Sequence, residues 1–486
     1  MARSQTRFVC QSCGDAFLRW EGQCRSCGSW NSLVETVVRE APRTARPAPA
    51  ALAGGAPRPA SLAEAADAPL PRLSSGIGEL DRVLGGGLVP GSLVLLGGEP
   101  GIGKSTLLLQ AAAALAGANG ERRILYATGE ESPSQVHLRA DRLGLRTTPA
   151  ARAVDVLAET DVGRIAETAR GQRPAVVVVD SIQTATVDEL DGPAGSVGQV
   201  RESALRLMEL AKGEGIAVLL VGHVTKDGSI AGPRTLEHLV DAVLNLEGER
   251  YAALRLLRAA KNRFGSTEEV GVFEMGEAGL AEVADPGRAF LVEHERPAAG
   301  SVVAPILEGT RPMLVEIQAL VSASTYGNPT RRASGIDGNR LALLVAVLGR
   351  RAGIGLGSHD VYANVAGGLS VAEPGLDLPL ALALASSLRD RPVRPGTVAI
   401  GEVGLLGELR AVSGLVRRLR EAARLGFERA IVPRSSRRDG PLPAGIELVP
   451  VATLREAIDA AIGRRREVDD GAAVAATAGG AGDGEA

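Results

Sequence analysis

Three groups of residues in this 486-residue chain have the types and spacing to do chemistry. The first is Gly98-Glu99-Pro100-Gly101-Ile102-Gly103-Lys104-Ser105-Thr106, a full match to the phosphate-loop pattern G-x-x-x-x-G-K-[ST]. Its glycines let backbone amides wrap phosphate oxygens at a helix N-terminus, Lys104 reaches the β and γ phosphates, and Ser105 ligates Mg²⁺. The second group is carboxylates at the ends of apolar runs. Asp180 closes Val176–Val179 and can enter the Mg²⁺ shell. Glu130 and Glu131 follow Ile124–Ala127, a strand expected beside the phosphate-loop strand in one order of the sheet. There a carboxylate polarises the attacking water, unless the two acids merely cap the helix beginning at Ser132-Pro133. No N-K-x-D guanine motif is present, so ATP is the expected nucleotide.

The third group is Cys10-x-x-Cys13 and Cys24-x-x-Cys27, the only cysteines in the chain. Glycine follows each pair (Gly14, Gly28), which lets the backbone turn and aim amides at the sulfurs. Four thiolates so spaced suit tetrahedral Zn²⁺ in a unit too small to fold on apolar burial alone. Disulfides, a redox pair and an iron–sulfur centre are the alternatives.

Two further sites stand out against composition. Only Lys104, Lys212, Lys226 and Lys261 are lysines among 54 basic residues. His223 and Lys226 follow the run Val218–Val221, where a γ-phosphate sensor or an ordinary solvated strand end would sit. Lys261-Asn262-Arg263-Phe264-Gly265 offers a Lys-x-Arg pair on a loop, suited to placing cations in a neighbouring subunit's ATP site.

These residues require an α/β scaffold. From Leu73 to about Pro286, short apolar runs (Leu93–Leu96, Ile124–Ala127, Val176–Val179, Val218–Val221) alternate with helical stretches such as Ser203–Ala211, the mark of a parallel sheet. After Gly300 comes a hairpin, Val302–Leu307 and Met313–Val321, turned at Gly309-Thr310-Arg311-Pro312. Helices at Arg340–Gly349, Leu378–Leu388 and Val416–Leu425 follow it. The expected organisation is a C4 zinc ribbon at 1–34, an Ala/Pro linker at 35–71 and an ATPase domain at 72–288. A second α/β domain at 289–463 and an Ala/Gly/Asp tail at 464–486 complete it.

Composition narrows function. The chain is 45% hydrophobic and 23% charged, ordinary for a globular protein, and its net charge of −3 excludes a globally basic nucleic-acid coat. No apolar run approaches a membrane span and Met1-Ala2-Arg3-Ser4-Gln5 does not open a signal peptide, so a cytoplasmic protein is expected. Between Ser322 and Ala352, Arg331, Arg332, Arg340, Arg350 and Arg351 stand against one acid, Asp337. They form either a phosphate-tracking patch or a plain solvated surface.

The cysteine unit with Gly22-Gln23-Cys24 and Gly28-x-Trp30-Asn31, the phosphate loop, Gly129-Glu130-Glu131-Ser132 and Lys261–Gly265 together resemble the bacterial RadA (Sms) family. The resemblance spans nearly the whole chain except the linker and tail. It implies a zinc finger, a RecA-like ATPase core related to DnaB-type helicases, and a C-terminal domain resembling the Lon protease. It further implies hexameric rings that bind single-stranded and branched DNA and drive ATP-dependent branch migration beside the RecA recombinase. If the sheet is RecA-like, Ile124–Ala127 is expected beside the phosphate-loop strand. Glu130 then falls on the catalytic glutamate, His223 on the phosphate sensor, and Lys261 and Arg263 on the trans-acting pair. An ATP-dependent protease is the competing class. It needs a serine activated by a lysine. Pro379 and Val416 fall near the expected serine and lysine, and no lysine follows Lys261. A RecA-type strand-exchange filament fits the core alone.

Overall fold

The computed structural model describes residues 4–39 (except 12, 14 and 18), 71–118, 122–222, 236–248, 253–288, 290–291, 298–324, 328–437 and 439–463. His223, Lys226, most of the expected linker and the tail lie outside the described residues. The N-terminal strands β1 (Ser4–Cys10), β2 (Ala16–Phe17) and β3 (Leu33–Arg39) make an antiparallel sheet in the order β2-β1-β3. The ribbon therefore runs past the expected edge at residue 34. The reason is that β1 begins at Ser4 and offers backbone partners as far as Arg39.

The elements that follow are α1 (Gly78–Leu84), β4 (Leu93–Gly98), α2 (Lys104–Ala118), β5 (Ile124–Thr128), α3 (Pro133–Arg142), β6 (Val154–Ala158), α4 (Val162–Gln172), β7 (Val176–Asp180), α5 (Val197–Glu214) and β8 (Ala217–Val221). Next come β9 (Ala242–Glu247), β10 (Leu254–Asn262), β11 (Val270–Gly276) and β12 (Gly279–Glu282). The chain forms two compact units. One comprises residues 1–76, 87–97 and 108–243, and the other comprises 77–86, 98–107 and 244–486.

In the first unit, β4, β8, β7, β5 and β6 lie side by side in that order, all parallel. Their unbroken apolar runs (LVLL, VVVV, AVLLV) suit strands covered on both faces. Leu93, Leu95, Val177, Val179, Val218 and Leu220 share a core with Ile165 and Ala169 of α4 and Leu207 and Leu210 of α5. Helix starts are locally encoded. Ser132 and Gln135 form a reciprocal capping box on α3, Asp161 caps α4 and Ser196 caps α5. One expectation is corrected: β5 is not beside β4, because β8 and β7 lie between them.

In the second unit, β9 to β12 follow one another as neighbours, antiparallel from β10 onward. The chain then builds β13 (Ser301–Glu308), β14 (Arg311–Ala323), β15 (Arg331–Ser334), α6 (Gly338–Val347), β16 (His359–Val365), α7 (Asp377–Arg389), β17 (Thr397–Ala399), β18 (Glu402–Val403), β19 (Leu409–Arg410), α8 (Leu415–Arg424), β20 (Arg429–Pro433), β21 (Glu447–Val451) and α9 (Leu454–Ile462). The seven-stranded mixed sheet has the order β15-β16-β14-β13-β17-β20-β21. The expected hairpin forms, but its turn is shorter than the sequence suggested. Glu308 pairs with Arg311 and Leu307 with Pro312, which leaves only Gly309 and Thr310 to reverse the chain. Leu256, Val270 and Val272 of β10 and β11 join the same core as Ile306, Met313, Leu344 and Leu384.

Candidate nucleotide site and zinc centre

The ribbon brings all four cysteine sulfurs within 4.8 Å of one another. Cys10 and Cys27 sulfurs lie 3.6 Å apart, as do those of Cys13 and Cys24. Tetrahedral zinc with Zn–S of about 2.3 Å needs S···S separations of about 3.8 Å, so the cage fits Zn²⁺. Tight turns shape it. Gly28 has φ +74°, its amide donates to the Cys24 carbonyl at 2.8 Å, and the Cys24 amide donates to the Ser29 carbonyl at 2.9 Å. Phe8, Phe17 and Leu33 pack on Cys10 and Cys24, whereas Trp20 and Trp30 stay exposed.

The phosphate loop leaves the C-terminal end of β4 and enters α2 at Lys104. Gly98 has φ +152°, and a Cβ there would stand 2.6 Å from the Leu246 carbonyl oxygen, so glycine is required on both counts. The Lys104 ammonium is buried and curls over the loop, donating to the carbonyls of Gly98 and Glu99 at 2.9 Å each. The backbone amides at the start of α2 are the donors a phosphate needs. Arg255, a residue that motif reading passes over, braces the loop by donating from Nε to the Ile102 carbonyl at 3.3 Å. Its only sequence signal is an arginine inside an apolar strand, and burial lowers its pKa.

The carboxylates stand at the C-terminal ends of β5 and β7. Asp180 is buried and accepts the Tyr126 hydroxyl at 2.6 Å. Burial first, and the adjoining Asp180 charge second, push the Tyr126 phenol well above its ordinary pKa and keep it a donor. Glu130 and Glu131, equivalent in sequence, diverge here. Glu130 accepts the Ser181 hydroxyl, just past the end of β7. Glu131 pairs with Arg139 of α3, and burial raises its pKa against the pull of that arginine. Capping of α3 falls to Ser132, not to either acid.

Lys261 is the penultimate residue of β10, and Arg263 is exposed at the start of the following loop. Lys212, another of the rare lysines, is structural: its Nζ meets Asp241 Oδ2 at 2.6 Å, and that carboxylate also accepts the Leu93 amide at 3.0 Å.

Farther along, Pro379 is buried inside α7 and Val416 inside α8. Nearby, Arg418 is 2% exposed and donates to the carbonyls of Ser413 and Pro305 and to Glu373, at 2.9, 3.0 and 3.0 Å. Among the expected basic patch, Arg331, Arg332, Arg350 and Arg351 are exposed. Arg340 is not part of a free surface, because it closes on the buried carboxylate of Asp377, at 2.6 Å through Nε.

A family model described as "Rubredoxin metal binding domain" matches residues 8–35, one described as "AAA domain" matches 59–229, and one described as "Subunit ChlI of Mg-chelatase" matches 350–436. The matches and the geometry agree on a C4 zinc ribbon, a RecA-like phosphate-loop ATPase core and a Lon-like α/β region, with Zn²⁺ and ATP with Mg²⁺ as cofactors. Among the described residues, no helix is long and apolar enough to cross a membrane. The chain is 49% identical over 463 residues to a Bacillus subtilis protein named DNA repair protein RadA, covering 95% of this chain and 100% of that one. Proteins of the same name from Pseudomonas aeruginosa (49% over 460 residues, 95% and 99% covered) and Brucella abortus (50% over 441 residues, 90% and 93% covered) are similarly close. Likeness of this degree over nearly the full length of each relative means that the chain belongs to the RadA family.

Proposed function

We propose that this chain is a DNA-dependent ATPase of DNA repair and homologous recombination. It works as a hexameric ring of the DnaB-type helicase kind, on single-stranded and branched DNA beside the RecA recombinase, and drives branch migration. The observation that carries this reading is the pairing of a braced phosphate loop with an exposed Arg263 on a loop rooted in β10. A fixed anion cradle and an exposed arginine on a loop would be the two halves of a site completed between subunits.

When bound, Mg-ATP supplies the phosphoryl group. On this side of the reaction Gly98, Glu99, Pro100, Gly101, Ile102 and Gly103 present backbone to phosphate, and Lys104 turns from its carbonyls toward the β and γ oxygens. Ser105 would ligate Mg²⁺ and Asp180 would enter its shell, with Tyr126 orienting Asp180. Glu130, oriented by Ser181, takes a proton from the attacking water. Lys261 and Arg263 stabilise charge on a neighbouring subunit's phosphates, Arg263 by bridging two oxygens. The exposed Arg331, Arg332, Arg350 and Arg351 are the proposed backbone contacts to DNA. A peptidase role is not supported, since no lysine follows Lys261 and buried apolar side chains stand near the expected dyad.

The test is ATPase activity with and without single-stranded DNA, then strand displacement on a forked substrate. Stimulation and displacement are expected. Turnover indifferent to DNA, with no displacement, would overturn the motor reading.

A further inference from the structure

The loop at 263–269 carries Arg263 and has Lys261 at its root. Its near end is tied to α1. Asn262 Nδ2 donates to the Val83 carbonyl at 3.1 Å, Asn262 Oδ1 accepts the Phe264 amide at 2.9 Å, and Gly265 lies against Gly85. Its far end is held by a segment remote in sequence, the tip of the β13–β14 hairpin. The Thr310 amide donates to the Glu268 carbonyl at 2.9 Å, and its hydroxyl donates to Glu269 Oε1 at 2.8 Å. Arg311 donates to the Val270 carbonyl at 3.0 Å and grips both oxygens of Glu79 on α1, the second at 3.2 Å. Glu79, buried, also accepts the Val272 amide at 2.8 Å.

Gly309 gives an independent sign of fit. At φ +63° a free hairpin turn would also admit Asn or Asp. Here any Cβ would collide with the Glu268 carbonyl, so the tip is moulded to the loop.

We propose that Thr310 and Arg311 are positioning residues for Arg263. They clamp the far end of the loop, and so the C-terminal sheet sets how well the loop reaches a neighbouring subunit's ATP. This rests on the reading of Lys261 and Arg263 as a trans-acting pair. Misplacing a catalytic group by about 1 Å can cost on the order of 10²-fold in rate, which is the scale at which a lost clamp should register.

The test uses full-length protein. Arg311→Ala should lower kcat by about 10- to 100-fold while KM for ATP stays at the wild-type value. Arg311→Lys should recover part of kcat, because a point charge can pair with Glu79 without the two-pronged grip. Thr310→Val, which leaves Glu79 paired, should lose less. If Arg311→Ala does not fold, these two milder variants carry the same measurement. The decisive arm is mixing. Arg311→Ala subunits combined with Lys104→Ala subunits should regain ATPase activity, because the second lends an intact loop to the first. A wild-type kcat in all three variants overturns the proposal. So does a defect that mixing leaves unrelieved while Arg263→Ala is relieved in the same assay. If Arg263→Ala itself is not relieved by Lys104→Ala subunits, the trans reading beneath the proposal fails instead.

Discussion

Adjacent acids at the end of β5 show how much a single residue's surroundings decide. Glu130 accepts from Ser181, next to Asp180, while Glu131 is drawn away to Arg139. Glu130→Gln should therefore lower ATP turnover by roughly 10²- to 10⁴-fold with nucleotide binding retained. Glu131→Gln should leave turnover near wild type. Steady-state hydrolysis and fluorescent-nucleotide titration separate the two, and equal losses in both variants would sink the assignment of the base. Glu131 also has a pH signature. Its folded-state pKa is raised by burial, so its contribution to stability is present while it is protonated and is lost as pH rises through that pKa. Arg139→Ala removes the main opposing charge. Thermal melts of that variant should fall more steeply from acid to neutral pH than those of the wild type.

At the scale of elements, the ribbon and the arginine struts differ in what holds them. Among the described residues, the ribbon's core is Cys10, Cys24 and Leu33 with two phenylalanines against them. A structural zinc supplies about 10–16 kcal/mol in comparable units, so metal removal should unfold residues 4–39. One equivalent of zinc per chain is expected. Chelation or Cys24→Ser should leave the ATPase core's hydrolysis intact, and a metal-free preparation with an ordered ribbon would contradict the site. Arg418 instead holds α8 to the hairpin and to Glu373 from within the core. Arg418→Ala leaves the Glu373 carboxylate without its cation, with only the Leu307 amide still donating to it, and should cost about 3–5 kcal/mol in denaturant unfolding. An Arg418→Met, Glu373→Leu double variant should regain part of that loss, because it removes the uncompensated charge while leaving the Ser413 and Pro305 carbonyls and the Leu307 amide without these partners.

For the molecule as a whole, the proposed assembly is a head-to-tail ring in which each loop 263–269 serves the next subunit. Negatively stained particles with Mg-ATP should be closed rings. Open filaments would favour a strand-exchange recombinase over a ring motor. Pure protein should cleave no unfolded substrate under any nucleotide condition, and ATP-dependent proteolysis abolished by a point mutation after residue 289 would overturn the argument from the missing lysine.

Local pattern alone determined a good deal of this protein. The phosphate loop, the four cysteines and the buried strands around Val94, Tyr126, Val178 and Leu219 are each encoded within a few residues. Glycine where φ is positive, sulfur at fixed spacing and unbroken apolar runs are all short-range requirements. The tertiary structure decided what depends on contacts far apart in the chain. It placed β8 and β7 between β4 and β5, since strand order follows crossover connections that no window of sequence contains. It separated Glu130 from Glu131 through Ser181 and Arg139, and took Arg340 out of the basic surface to satisfy a buried Asp377. The clamp of Arg311 on Glu79 joins residues 232 positions apart. Burial makes that pair necessary, because a carboxylate taken out of water must find its cation wherever the fold delivers one.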